Sequence, residues 1–295
     1  MIKKEYSSFP GWARVLVIIL PWFFVVGLFQ LIGFLFLGLN LAGYATPKTP
    51  FENLVLSLFS FAGTFVIVWI FRRWVDRESF RSMGFYSSGI LRESVAGLVL
   101  GAVILSAGFT ILIFLGEIQW VGTKLQLVDF LSAFLLFVVI AITEELFCRG
   151  YILNNLMKSM HPFRALLVSS LFFSLLHFAN AHYSWISFLD LLLAGVLMGL
   201  PYIYTKSLWL PIALHFSWNF FEGPVFGFEV SGNTTYSIMT QSRPADTFLN
   251  GGSFGFEGSV FSIVFQLIAI FFLWQFYRKR YSRIRHSQDS LLPTE

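Results

Sequence analysis

Charge is what this sequence has least of. Only 12% of its 295 residues are Asp, Glu, Lys or Arg, about half the share found in a soluble globular domain. That scarcity excludes an ordinary soluble enzyme or binding module. Cysteine is nearly missing too: Cys148 stands alone, so neither an intramolecular disulfide framework nor a multi-cysteine metal cluster can form. No H-E-x-x-H helix motif occurs, and no internal repeat marks the chain as an inverted-repeat transporter. The formal charge of +4 is spread between apolar segments rather than gathered on one polar face, which excludes nucleic-acid binding.

What the sequence has instead is apolar length. Hydrophobic residues make up 56%, with 37 phenylalanines. Eight apolar segments approach the roughly 20 residues that a helix needs to cross a bilayer: approximately 15–39, 53–71, 94–116, 129–150, 163–181, 185–205, 208–222 and 259–277. The expected fold is all-α, a polytopic membrane bundle of about eight transmembrane helices. The first segment is too long for the core of a cleavable signal and is read as a retained anchor. With the N-terminus inside, 17 of the 20 Lys and Arg residues fall on the inner side and only Lys48, Lys124 and Arg243 outside. The positive-inside rule therefore predicts both termini in the cytoplasm. The organisation expected is a cytoplasmic N-terminus 1–14, a membrane domain 15–277 with its motif-bearing core at 129–222, a polar extracytoplasmic loop 223–258 and a basic tail 278–295.

Three polar islands interrupt the apolar helices. The first is E-E-L-F-C-R. Glu145 and Arg149 lie four apart on one helical face and can pair, while Glu144 points about 100° away and has no such partner. A structural ion pair accounts for Glu145 and Arg149 but not for Glu144, because an ionisable group at membrane depth costs several kcal/mol unless paired or hydrated. The second island, F-F-S-L-L-H, puts Phe173 and His177 one turn apart. Glu144 lies 17 residues before His161 and His177 lies 16 after it. An antiparallel hairpin breaking at His161-Pro162 thus brings Glu144 and His177 to the same depth. The third, L-P-I-A-L-H-F-S-W-N, places His215 and Asn219 on one face, where either interhelical hydrogen bonding or chemistry would use them. Burial of all six groups is affordable only around a shared, water-holding cavity, and a carboxylate with imidazoles there is suited to moving protons.

These residues carry a resemblance. E-E-L-F-C-R, F-S-L-L-H and H-F-S-W-N resemble the ordered motifs E-E-x-x-x-R, F-x-x-x-H and H-x-x-x-N of the CAAX-processing and bacteriocin-processing (CPBP) intramembrane proteases, also called the ABI family. Cys148 stands where members often carry an aromatic residue. The resemblance implies that Glu144 activates water with help from His177. It implies that His215 and Asn219 stabilise an oxyanion, and that Glu145 and Arg149 hold their helix in register. It also implies a membrane-associated peptide or protein substrate, with the bilayer as partner and a bacterial plasma membrane as the expected location. The family is described as metalloproteases as well. No cofactor is assigned, but Glu144, His177 and His215 are the residues that would hold zinc. Two other classes stay open: a non-catalytic scaffold or bacteriocin-immunity protein, and a proton-coupled transporter.

Overall fold

In the computed structural model, residues 9–39 and 46–289 are described, with side chains as far as residue 282. The ends of the expected N-terminal segment and basic tail lie outside the described residues. Eight principal helices follow in order: α1 (Gly11–Phe36), α2 (Pro50–Ile70), α3 (Ile90–Phe114), α4 (Leu127–Glu145), α5 (Pro162–Leu176), α6 (Trp185–Thr205), α7 (Trp209–Phe220) and α8 (Val260–Asp289). The chain is an all-α integral membrane protein of the multi-pass kind. Six of its helical spans are long and apolar enough to cross a bilayer. The other two helices are shorter: α5 has 15 residues and α7 has 12. A two-stranded antiparallel ribbon, β1 (Gln119–Thr123) with β2 (Met239–Ser242), is the only sheet among the described residues.

Local chemistry sets the helix boundaries. Thr49 caps α2 in a reciprocal capping box with Glu52, and Pro50 occupies the first helical position, where its missing N–H costs nothing. Pro162 opens α5 in the same way. Outer faces stay greasy: Leu20, Phe24 and Phe36 on α1 and Phe114 on α3 project outward, as a lipid-facing surface requires. Inner faces use small residues to bring backbones together. An added Cβ at Gly97 of α3 would lie 2.6 Å from the Leu210 carbonyl oxygen, and at Gly101 it would lie 2.8 Å from the Ser217 side chain. Two glycines thus let α3 lie directly along α7.

The bundle has two unlike ends. At one end, Asp76 bonds Arg72 at 2.9 Å and Asn155 at 3.0 Å, with Arg14 at 3.7 Å. Glu78 pairs with Arg72 at 2.7 Å and Lys158 at 2.6 Å. Burial opposes the charge on Glu78, but the Lys158 hydrogen bond and the charges of Arg72, Lys158 and Arg14 outweigh it, so its carboxyl titrates below its ordinary range. The start of α1 and the connections between α2 and α3, α4 and α5, and α6 and α7 gather here. At the opposite end, the β-ribbon joins the α3–α4 connection to the segment between α7 and α8. Asn180 donates to the Ser231 carbonyl at 2.9 Å, and the Gln126 amide donates to the Tyr236 hydroxyl at 2.7 Å.

Two expected boundaries move. The segment expected at 163–181 ends its helix at Leu176, with His177 as the C-cap. The stretch expected as a polar loop at 223–258 folds back into the bundle instead. It buries Phe226, Phe228, Phe254, Phe256 and Glu257, and its Glu257 amide donates to the buried Glu222 just before it. Glycines make that re-entry possible: Gly255 has φ +100°, and a Cβ on it would meet the Glu229 carbonyl oxygen at 1.9 Å.

Candidate active site

Past Glu145, α4 widens into a π-helical stretch, Leu146–Leu153, before closing with Asn154–Leu156. Such widened turns recur at functional sites because they re-aim side chains on an otherwise regular face. Here Arg149 stays one turn from Glu145 and donates to its Oε1 at 2.6 Å. The same guanidinium donates to the Gly195 carbonyl on α6 at 3.3 Å and lies over the Phe173 ring of α5, 4.5 Å from its centroid. The expected pair forms, and it ties three helices rather than one.

Glu145 does more than pair with arginine. His215 of α7 places Nδ1 2.9 Å from the same Oε1. A carboxylate only accepts hydrogen bonds, so Nδ1 carries a proton and Nε2 turns the other way. That Nε2 lies 3.8 Å from Glu144 Oε2. His177 is built alike. Its Nδ1 sits 3.0 Å from the Phe173 carbonyl oxygen, a group that only accepts, and its Nε2 lies 4.0 Å from Glu144 Oε2. Two imidazoles are thus each fixed at Nδ1 and each present Nε2 to one carboxylate.

The three groups differ in access. Glu145 is fully buried and the His215 side chain 5% exposed, whereas Glu144 is 32% exposed. Separations of 3.8 and 4.0 Å are too long for direct hydrogen bonds, and the adjoining cavity leaves room for a water that reaches all three groups. Asn219, one turn beyond His215 on α7, lines the same space. That space is a cavity of about 1050 Å³ bounded by α1, α2, α4, α5, α6, α7 and the returning α7–α8 segment. Glu144, His177, His215 and Asn219 all border it, while Glu145 and Arg149 lie behind them in the protein. All six residues singled out in the sequence meet around one centre.

Cys148 is 1% exposed and free, and borders the same cavity. Glu257 was not anticipated. It borders the cavity, is buried, and accepts a hydrogen bond from the Ser231 hydroxyl. Only the run of glycines around it, G-G-S-F-G-F-E-G, hinted at a tightly folded segment. Asp190 of α6 is fully buried and accepts from Gln266 at 2.7 Å.

Comparison with known proteins agrees with the motifs. Residues 126–221 match the family model described as type II CAAX prenyl endopeptidase Rce1-like. The matched segment runs from the start of α4 to the end of α7 and contains all six site residues. No curated protein matches the chain.

Proposed function

We propose that the chain, whose residues 126–221 are similar to type II CAAX endopeptidases, hydrolyses a peptide bond of a membrane-associated protein or peptide in a bacterial plasma membrane. The observation that carries this reading is the facing of Glu144 Oε2 by the Nε2 atoms of His177 and His215 at 4.0 and 3.8 Å inside a cavity. A scaffold needs no half-exposed carboxylate opposite two pre-aimed imidazoles.

Glu144 takes a proton from a water held between it and the histidines, and the resulting hydroxide attacks the scissile carbonyl carbon. His177, neutral and protonated at Nδ1, accepts a hydrogen bond from that water at Nε2 and orients it. Negative charge then builds on the carbonyl oxygen. As an imidazolium, His215 donates from Nδ1 to Glu145 and from Nε2 to this oxyanion, and the Asn219 amide donates alongside it. Removing one such donor typically costs about 10²–10³ in rate. Collapse of the tetrahedral species breaks the C–N bond, and the proton gained by Glu144 passes to the leaving nitrogen. Glu145 and Arg149 are positioning residues that hold His215 and Phe173.

Two imidazole nitrogens and a carboxylate also have the donor chemistry of zinc. Their spacing would have to contract by a few tenths of an ångström to hold it. Tetrahedral zinc with bonds of about 2.0–2.1 Å separates its ligands by roughly 3.4 Å, less than the 3.8 and 4.0 Å found here. Among the described residues no group of three His, Cys, Asp or Glu is already placed to hold a metal. On such contraction Glu144, His177 and His215 are the residues that would hold zinc, and it would supply Lewis-acid activation of water at that point.

The experiment is a mass-spectrometric comparison of membrane peptides from cells expressing the native chain or Glu144→Gln. Cleavage products present only with the native chain support a protease. Identical peptide sets, with any phenotype retained by Glu144→Gln, favour the scaffold.

A further inference from the structure

The cavity extends from Glu144 in one direction only. Its lining continues through Gln30 of α1, Asn53 and Ser57 of α2, Asn180 after α5, and Thr234 in the returning segment. All of these lie towards the end of the bundle that carries the β-ribbon. In the other direction the path is shut. Trp22 stacks on Phe147 with centroids 4.2 Å apart, Tyr151 below them is fully buried, and beyond it Asp76 is held by Arg72 and Arg14.

Charge separates the same two ends. Among the described residues, Arg14, Arg72, Lys158 and Lys206 sit at the closed end or in its connections. At the open end the described Lys and Arg residues are three: Arg243, neutralised by Glu229 at 2.7 Å and Asp246 at 3.3 Å, Lys48, which borders the cavity together with Asp129, and Lys124 before α4. Basic residues are retained on the cytoplasmic side of a membrane protein, so the closed end faces the cytoplasm.

We infer that the cavity opens on the extracytoplasmic face and receives its peptide from there: an extended stretch of an exported or membrane-anchored polypeptide lying outside the cytoplasm. The identification of the occupant as substrate rests on the hydrolase reading above; the direction of opening does not. The chemistry of the mouth suits such an occupant. Amide and hydroxyl side chains on its walls offer donors and acceptors to a peptide backbone, whose own groups need partners once removed from water. Glu144 lies 17 residues from the open end of α4, about 25 Å along a helix. A substrate must therefore thread inward as an extended segment. A prenylated C-terminus on the cytoplasmic surface would meet the closed end.

Cysteine accessibility tests the opening. Ser57→Cys and Thr234→Cys border the cavity, and Ser88→Cys lies in the exposed α2–α3 connection at the closed end. The native Cys148 is buried and is replaced by alanine in every variant. A membrane-impermeant maleimide applied to intact cells is expected to label Ser57→Cys and Thr234→Cys, and to label Ser88→Cys only after permeabilisation. The reverse pattern overturns the inference and leaves the hydrolase reading standing, because labelling needs no catalysis. The substrate class has its own readout. Cleavage sites lost in Glu144→Gln cells are expected in extracytoplasmic segments, and sites confined to cytoplasmic segments overturn it.

Discussion

His215 and Glu145 form one hydrogen-bonded unit across two helices, Nδ1 to Oε1 at 2.9 Å, with Arg149 donating to the same oxygen at 2.6 Å. The pair of helices α4 and α7 is thereby locked in register at the depth where Glu144 faces the cavity. Glu145 is thus shared between a cation that neutralises it and an imidazole that it aims.

This sharing separates stability from activity. Glu145→Gln leaves Arg149 buried without its counter-charge, and Arg149→Met leaves Glu145 likewise. Each is expected to lower unfolding stability by about 3–5 kcal/mol, the usual consequence of removing one partner of a buried pair. Glu145→Gln with Arg149→Met removes both charges and is expected to recover much of that stability. Hydrolysis is not expected to return, because the neutral glutamine amide can still accept from His215 Nδ1 but no longer stabilises the imidazolium that donates to the oxyanion. Thermal unfolding in detergent beside a cleavage assay reads the two effects. Recovery of both together would assign the triad a purely structural role.

Gly195 is a second point of leverage. A methyl group there would lie 2.6 Å from Ser170 Cβ and 2.7 Å from its Cα, forcing α5 away from α6. Since α5 carries Phe173 and His177, Gly195→Ala is expected to cost about 1–3 kcal/mol by overpacking and to reduce cleavage by displacing His177. Unchanged melting temperature and rate would show that the two helices can part without consequence.

Acid sensitivity belongs to the closed end. The Glu78 carboxyl is held below its ordinary range in the folded protein. The stability it contributes is fully present above the unfolded value of about 4.3 and is lost as pH falls through its lower, folded value. Glu78→Gln is expected to flatten the acid limb of a stability-versus-pH curve below about pH 4.3 and to leave the neutral region's slope unchanged. Superimposable acid limbs for the two proteins would remove Glu78 from the account.

Chelation addresses the alternative chemistry. With ligand spacings wider than zinc uses, cleavage is expected to persist after treatment with a strong chelator, and purified protein is expected to hold far less than one metal ion per chain. Stoichiometric zinc whose removal abolishes cleavage would require the site to contract around it.

Much of this site was legible in the sequence, and for a physical reason. Ionisable residues in apolar helices are so costly that their positions are informative, and helical spacing fixes which of them share a face. Glu145–Arg149 and the equal depth of Glu144 and His177 followed from those rules. The bond between His215 and Glu145 did not, because it depends on how α7 is rotated against α4, which periodicity does not specify. Glu257 was hidden for another reason. The segment 223–258 is polar and glycine-rich, which reads as a solvated loop, yet its phenylalanines carry it back into the bundle. The short lengths of α5 and α7 were likewise disguised by apolar residues that continue beyond the helices.

The central claim is that Glu144 activates water for attack on a peptide bond. Its most direct measurement is cleavage by purified protein in lipid vesicles containing H₂¹⁸O, comparing the native chain with Glu144→Gln on a peptide identified from the membrane comparison. The account predicts one ¹⁸O atom at the new C-terminal carboxylate with the native chain, and a fall in rate of about 10²–10⁴-fold with Glu144→Gln at unchanged melting temperature. Equal rates of ¹⁸O-labelled cleavage by the two proteins would contradict it.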